Sequence, residues 1–139
     1  MNKAFVADAS VGFAWVYPGQ ASAETDNLLD EVAAGSAIVV PPLWFLEVAN
    51  SLLSAQRRKL LTPTERKSAL KMLSELTYTV DEEATQSAFH KTSDLAEKHR
   101  LSVYDAVYLE LALRRKLPLA SRDAGLRQAA KKHGLKLQG

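Results

Sequence analysis

The chain has 139 residues, 47% of them apolar and 24% charged, a net charge of +2, and no cysteine. That length suits one domain over residues 1–139 with one core. The missing cysteine excludes disulfides, thiolate metal sites and cysteine catalysis. No apolar run approaches the ~20 residues that span a membrane, and Asp8 interrupts the only apolar segment a leader could use, so a cytoplasmic protein is expected.

In chain order, "AFVAD" reads as a first buried strand that runs straight into Asp8. Ser10 can cap a short helix reaching Trp15, and Pro18-Gly19 makes a turn. "ASAETDNLLDEVAAG" is helical, with Gly35 as its stop. "AIVVP" is a second strand, and "PLWFLEVANSLLSAQRRKL" a helix starting near Pro42. The next helix, "TPTERKSALKMLSEL", has Thr62 as cap, Pro63 at its first position and Glu65 closing a capping box. "TYTVD" is a short strand, with Asp81 expected to cap the helical stretch "EEATQSAFHKTSDLAEKH", which leaves room for a break. "SVYDAVYLELALRRK" is the strongest helix, "LPLAS" a strand, "DAGLRQAAKKHG" a helix and "LKLQ" a last short strand.

Short apolar strands alternating with helices imply an α/β fold whose parallel sheet is covered on both faces. Ligands bind such sheets beyond the carboxyl ends of the strands. Asp8 and Asp123 should therefore share one edge.

Four carboxylates stand among apolar residues: Asp8, Glu47, Asp105 and Asp123. Each has an ordinary local reading. Asp8 and Asp123 can cap helices, Glu47 lies near a helix N-terminus, and Ser102 with Asp105 spells a capping box; Asn50 lies one turn after Glu47. Glu110 reads as a solvated rim residue. Gathered at one edge, the acids would repel, by roughly 3 kcal/mol for two charges about 5 Å apart at an effective dielectric near 20. A divalent cation reverses that sign, and hard oxygen donors favour Mg²⁺ or Mn²⁺.

Charge is uneven. Residues 1–56 carry six acids against Lys3 alone, whereas 57–139 carry 17 basic and 10 acidic residues, which suits a polyanion partner. Candidate phosphate contacts are Arg57, Arg58, Lys59, Arg114, Arg115, Lys116 and Arg122. His90, His99 and His133 sit in charged, helix-end contexts that suit surface residues. No G-x-G-x-x-G or G-K-[ST] occurs, which excludes the common nucleotide-binding loops, and Ser10 stands where a haloacid-dehalogenase-like phosphatase needs a second aspartate.

The ordered set "VADASVGFAWV", "PPLWFLEVANSLL" and "LSVYDAVYLELALRRKLPLASRD" resembles the PIN-domain nucleases, and among them the VapC-type toxins of toxin–antitoxin pairs. The resemblance covers nearly the whole chain. It implies a single three-layer α/β/α domain with a short parallel sheet and a Mg²⁺- or Mn²⁺-dependent endoribonuclease acting on structured RNA such as tRNA or rRNA. It also implies a homodimer and a cognate VapB-like antitoxin. By position, the resemblance makes Asp8, Glu47, Asp105 and Asp123 the metal-holding acids, with Ser10 and Ser121 supporting through hydroxyls and Asn50 orienting Glu47. Ser121 stands where threonine is frequent. The apolar helices from Trp44 to Met72 are the expected antitoxin groove or dimer surface, unless they are core. The competing reading is a PIN-like module that binds RNA or protein without cutting.

Overall fold

The first strand forms because "AFVA" is apolar throughout, as a strand buried on both faces of a parallel sheet must be. A computed structural model describes residues 3–138. In it, β1 (Ala4–Ala7), β2 (Ala37–Val40), β3 (Tyr78–Val80), β4 (Leu119–Ala120) and β5 (Leu137–Gln138) make one all-parallel sheet in the order β3-β2-β1-β4-β5. The helices are α1 (Ala9–Val16), α2 (Ala23–Ala33), α3 (Leu43–Arg57), α4 (Pro63–Ser74), α5 (Ser93–His99), α6 (Val103–Arg115) and α7 (Ala124–Lys132). Right-handed crossovers put α1–α4 on one face and α5–α7 on the other. In keeping with this, α1 packs on α2, α3 and α4, while α6 packs on α5 and α7. The result is the three-layer α/β/α fold.

Local chemistry sets the helix ends. Thr62 and Glu65 form the expected reciprocal capping box behind Pro63. Ser22 and Thr25 form a second box, at the start of α2. Gly35 ends α2 with φ of +111°, a conformation glycine adopts without strain. The cap of α1 is Asp8 rather than Ser10. The stretch from Glu82 to His99 is not one helix: two irregular helical turns, Glu82–Thr85 and Ala88–Thr92, precede α5, and His90 leaves helical backbone.

Strand order fixes where a site can form. Chain connections leave β1 toward β2 and leave β4 toward β5, so the crevice between β1 and β4 is the topological switch point. Asp8 follows β1 and Ser121 follows β4, one on each side of it.

Gly12 permits the close approach of α1 to α3. A Cβ there would lie 2.5 Å from the Trp44 ring and 3.1 Å from Val48. Of the apolar residues between Trp44 and Met72, Trp44, Val48, Leu52, Leu61 and Ala69 are core, whereas Phe45, Leu46, Leu60 and Met72 are exposed. Trp15 is core as well, and its indole N–H donates to the Thr25 carbonyl.

Candidate active site

Asp8 is fixed before its side chain does anything. Its amide donates to the Ala120 carbonyl of β4, and its carbonyl accepts the Trp44 indole N–H from α3 at 3.0 Å. The carboxylate is buried, with 4% of the residue exposed. Oδ1 accepts the Ser10 hydroxyl at 2.6 Å and the Val11 amide at 3.2 Å, and Oδ2 accepts the Ser121 hydroxyl. The two serines are wired alike. Ser10 Oγ accepts the Arg122 amide and Ser121 Oγ accepts the Asp123 amide, each at 3.0 Å. Each hydroxyl spends its one proton on Asp8 and its lone pairs on the β4–α7 loop. The loop is thereby stapled across the crevice.

Among the described residues, no cation pairs with Asp8. Burial pushes its carboxyl up from 3.8 to about 6, against the lowering effect of the serine hydrogen bonds. The charge of Asp105 adds to the rise.

The other three acids come from separate elements. Asp105 lies in the first turn of α6, where Ser102 Oγ accepts its amide at 3.0 Å. The expected box is one-sided, since Ser102 caps the helix without a return bond from the carboxylate. Burial and the neighbouring charge of Asp123 hold Asp105 above the ordinary carboxylate range. Glu47 lies in the second turn of α3, and burial raises it too, with Asp105 contributing. The Tyr108 hydroxyl donates to Glu47 Oε1 at 2.5 Å. Burial, Glu47, Asp8 and Asp105 together drive the Tyr108 phenol far above its usual range. Asp123 caps α7 through the Leu126 amide at 2.8 Å. The acids thus meet electrostatically through Asp105, which senses or is sensed by the other three.

A model of the PIN domain family matches residues 5–132. The chain belongs to the PIN domain family. No curated protein sequence matches it. Among solved structures it is similar to PAE2754 from Pyrobaculum aerophilum, with a TM-score of 0.70 and 20% identity over 98% of this chain and 83% of that one. It is also similar to VapBC2 from Rickettsia felis, solved bound to a DNA fragment from their promoter (TM-score 0.66, 12% identity, 96% of each chain). A third is FitAcB from Neisseria gonorrhoeae (TM-score 0.59, 16% identity, 97% of this chain and 96% of that one). At these identities the likeness is one of fold.

The PIN crevice fits a hard divalent cation in its chemistry: all its donors are oxygen, and its acids repel one another. In position the set is open. Among the described residues, no three His, Asp or Glu side chains gather closely enough to ligate one ion directly. Magnesium keeps several of its waters, so an open set is compatible with holding it partly through water.

Several sequence expectations are corrected. Asn50 is exposed, and the hydrogen bond that holds Glu47 comes from Tyr108 instead. Glu110 is buried rather than solvated and accepts from Ser87 and Arg114. Asp81 caps no helix; it is buried and takes hydrogen bonds from Arg114 and Arg115. Those two arginines are therefore paired to acids of the protein itself, Arg115 while still exposed and Arg114 half-buried. Arg57, Arg58, Lys59, Lys116 and Arg122 are exposed. His99 and His133 are half-buried, and their Nε2 atoms share a hydrogen bond of 2.8 Å. Tyr108 and Trp44 were missed as site residues. Tyr108 carries a faint signal, its i+3 spacing from Asp105 on one helix face; Trp44 reads only as core.

Proposed function

We propose that this PIN domain is a Mg²⁺- or Mn²⁺-dependent endoribonuclease of VapC type, the toxin half of a type II toxin–antitoxin pair that cuts structured RNA such as tRNA or rRNA. One observation carries the reading: a carboxylate buried at the switch point, held by two hydroxyls, neighboured by further acids and paired with no cation among the described residues. Two structural neighbours, VapBC2 and FitAcB, support the toxin–antitoxin assignment.

Asp8 and Asp105 would hold the ion directly, with Glu47 and Asp123 acting partly through water. When bound, such an ion acidifies a water molecule and offsets charge on the phosphoryl oxygens. The chain's own groups do the rest. Ser10 and Ser121 fix the rotamer of Asp8, Tyr108 fixes Glu47, and Trp44 and Ala120 lock the Asp8 backbone. The exposed apolar residues Leu46, beside Glu47, and Val103 and Tyr104, beside Asp105, suit an antitoxin segment laid over the acids or a second copy in a homodimer.

The test is degradation of folded tRNA and rRNA fragments in Mg²⁺, Mn²⁺ and EDTA, by the wild type, Asp8→Asn and Asp105→Asn. Metal-dependent cutting by the wild type alone is expected. Intact RNA in every condition would favour the non-cutting module. Relief of toxicity by coexpressing the product of a small adjacent gene tests the antitoxin.

A further inference from the structure

A hollow of about 510 Å³ opens beside the acids, between α1, α3 and the β4–α7 loop. Ser10 lines it, and the hydroxyl of the same residue donates to Asp8, so hollow and crevice adjoin. Phe13 and Tyr17, one helical turn apart, supply half-buried rings with centroids 5.0 Å apart. Gly19 backs the Tyr17 ring, and a Cβ there would come within 2.7 Å of it. Asn50 lines the opposite side and offers both a donor and an acceptor.

Its charge separates this hollow from others on the molecule. Two further hollows are mainly apolar and carry Glu75 or Glu65 in their linings. This one carries Arg58 and Arg122 and, among the described residues, no carboxylate. The ion pairs among the described residues all use Arg114 or Arg115, so Arg58 and Arg122 are uncommitted. Aromatic rings, an amide and two free guanidinium groups are what recognise a splayed nucleotide: stacking for the base, two-sided hydrogen bonding for its edge, cations for its phosphates.

We propose that this hollow takes one unpaired nucleobase of the RNA, stacked on Phe13 and Tyr17 and read by Asn50, with Arg58 and Arg122 on the flanking phosphates. It sets which nucleotide stands next to the bond presented to the acids. The choice of RNA as occupant rests on the nuclease reading; the test does not need cleavage.

Fluorescein-labelled single-stranded homopolymers of A, C and U, ~10 nucleotides long, are titrated by anisotropy against the metal-free Asp8→Asn protein. One homopolymer should bind about tenfold tighter than the weakest. Tyr17→Ala should weaken every homopolymer about tenfold by removing the stacking surface. Asn50→Ala, at an exposed position that does not threaten folding, should flatten the ranking. Arg58→Ala and Arg122→Ala should weaken all three equally and each lower the salt slope by about 1. No binding, a ranking that survives Asn50→Ala, or affinities unmoved by Tyr17→Ala, in proteins with wild-type circular dichroism, overturns the proposal. Cleavage assays on the wild type separate the two readings. Base-ranked binding without metal-dependent cutting sinks the nuclease and leaves the pocket, whereas cutting with a ranking insensitive to these side chains sinks the pocket and leaves the nuclease.

Discussion

Asp8 and Asp81 each follow a strand of one parallel sheet, and both are buried, with 4% and 1% of the residue exposed. Their surroundings are opposite. Asp81 receives Arg114 at 2.9 Å and Arg115 at 2.5 Å, and Arg114 also spans Glu110 and Glu83. Burial pushes the Asp81 carboxyl up, but the two arginines outweigh it and hold it below the ordinary range. Asp8 receives only hydroxyls and an amide, and burial wins. The fold can neutralise a buried carboxylate with its own cations, and does so at β3. At β1 the described residues supply none. The unneutralised charge at the switch point is what an external cation would answer.

The largest effect should come from breaking the satisfied site. Arg114→Ala leaves Glu110 and Asp81 short of a partner in the interior, and a loss of about 3–5 kcal/mol is expected in urea unfolding. A loss under about 1 kcal/mol would mean that the network is solvated and the contrast with Asp8 false.

At the other site the sign reverses. A carboxyl raised from 3.8 to about 6 favours folding below pH 3.8 and loses that advantage as pH rises through about 6. Asp8→Asn removes the deficit and keeps a competent helix cap. Without metal at pH 8 it should be more stable than wild type by up to about 3 kcal/mol, with the difference vanishing below about pH 4, while cleavage is lost.

Gly12→Ala tests the packing under Asp8. The added methyl meets the Trp44 ring, so about 2 kcal/mol of overpacking is expected. Because Trp44 holds the Asp8 carbonyl, cleavage should fall further than stability alone explains.

The smallest effect concerns the His99–His133 pair. Burial and the neighbouring His133, Lys98 and Lys132 lower His99; burial, Lys98 and Lys91 lower His133. Lowered histidines contribute stability above about pH 6.5, and it is lost as pH falls through their folded values. His133→Ala should cost about 1 kcal/mol at pH 8 and less at pH 5, as measured by thermal melts across pH.

What the sequence discloses follows from range. The Thr62-Pro63-Glu65 start, the Gly35 stop and the apolar β1 depend on neighbours within a few residues, and all are readable. The shared edge of Asp8 and Asp123 is readable too, because a parallel sheet with short connections leaves no other place for them. Asp81 and Glu110 were misread for the opposite reason. Their decisive partner, Arg114, is one turn from Glu110 but far along the chain from Asp81, and local spacing does not say which face of α6 is covered. Tyr108 reaching Glu47 is equally invisible, since it depends on how α3 and α6 meet across the sheet.

In the proposed function, the buried Asp8 carboxylate is one side of a divalent-cation site. Thermal melting of the wild type and Asp8→Asn at pH 8, each in EDTA and in excess Mn²⁺, tests it most directly. Mn²⁺ should raise the wild-type midpoint, as a ligand of the native state must, and leave that of Asp8→Asn nearly unmoved. An equal rise in both proteins, or none in either, would contradict it.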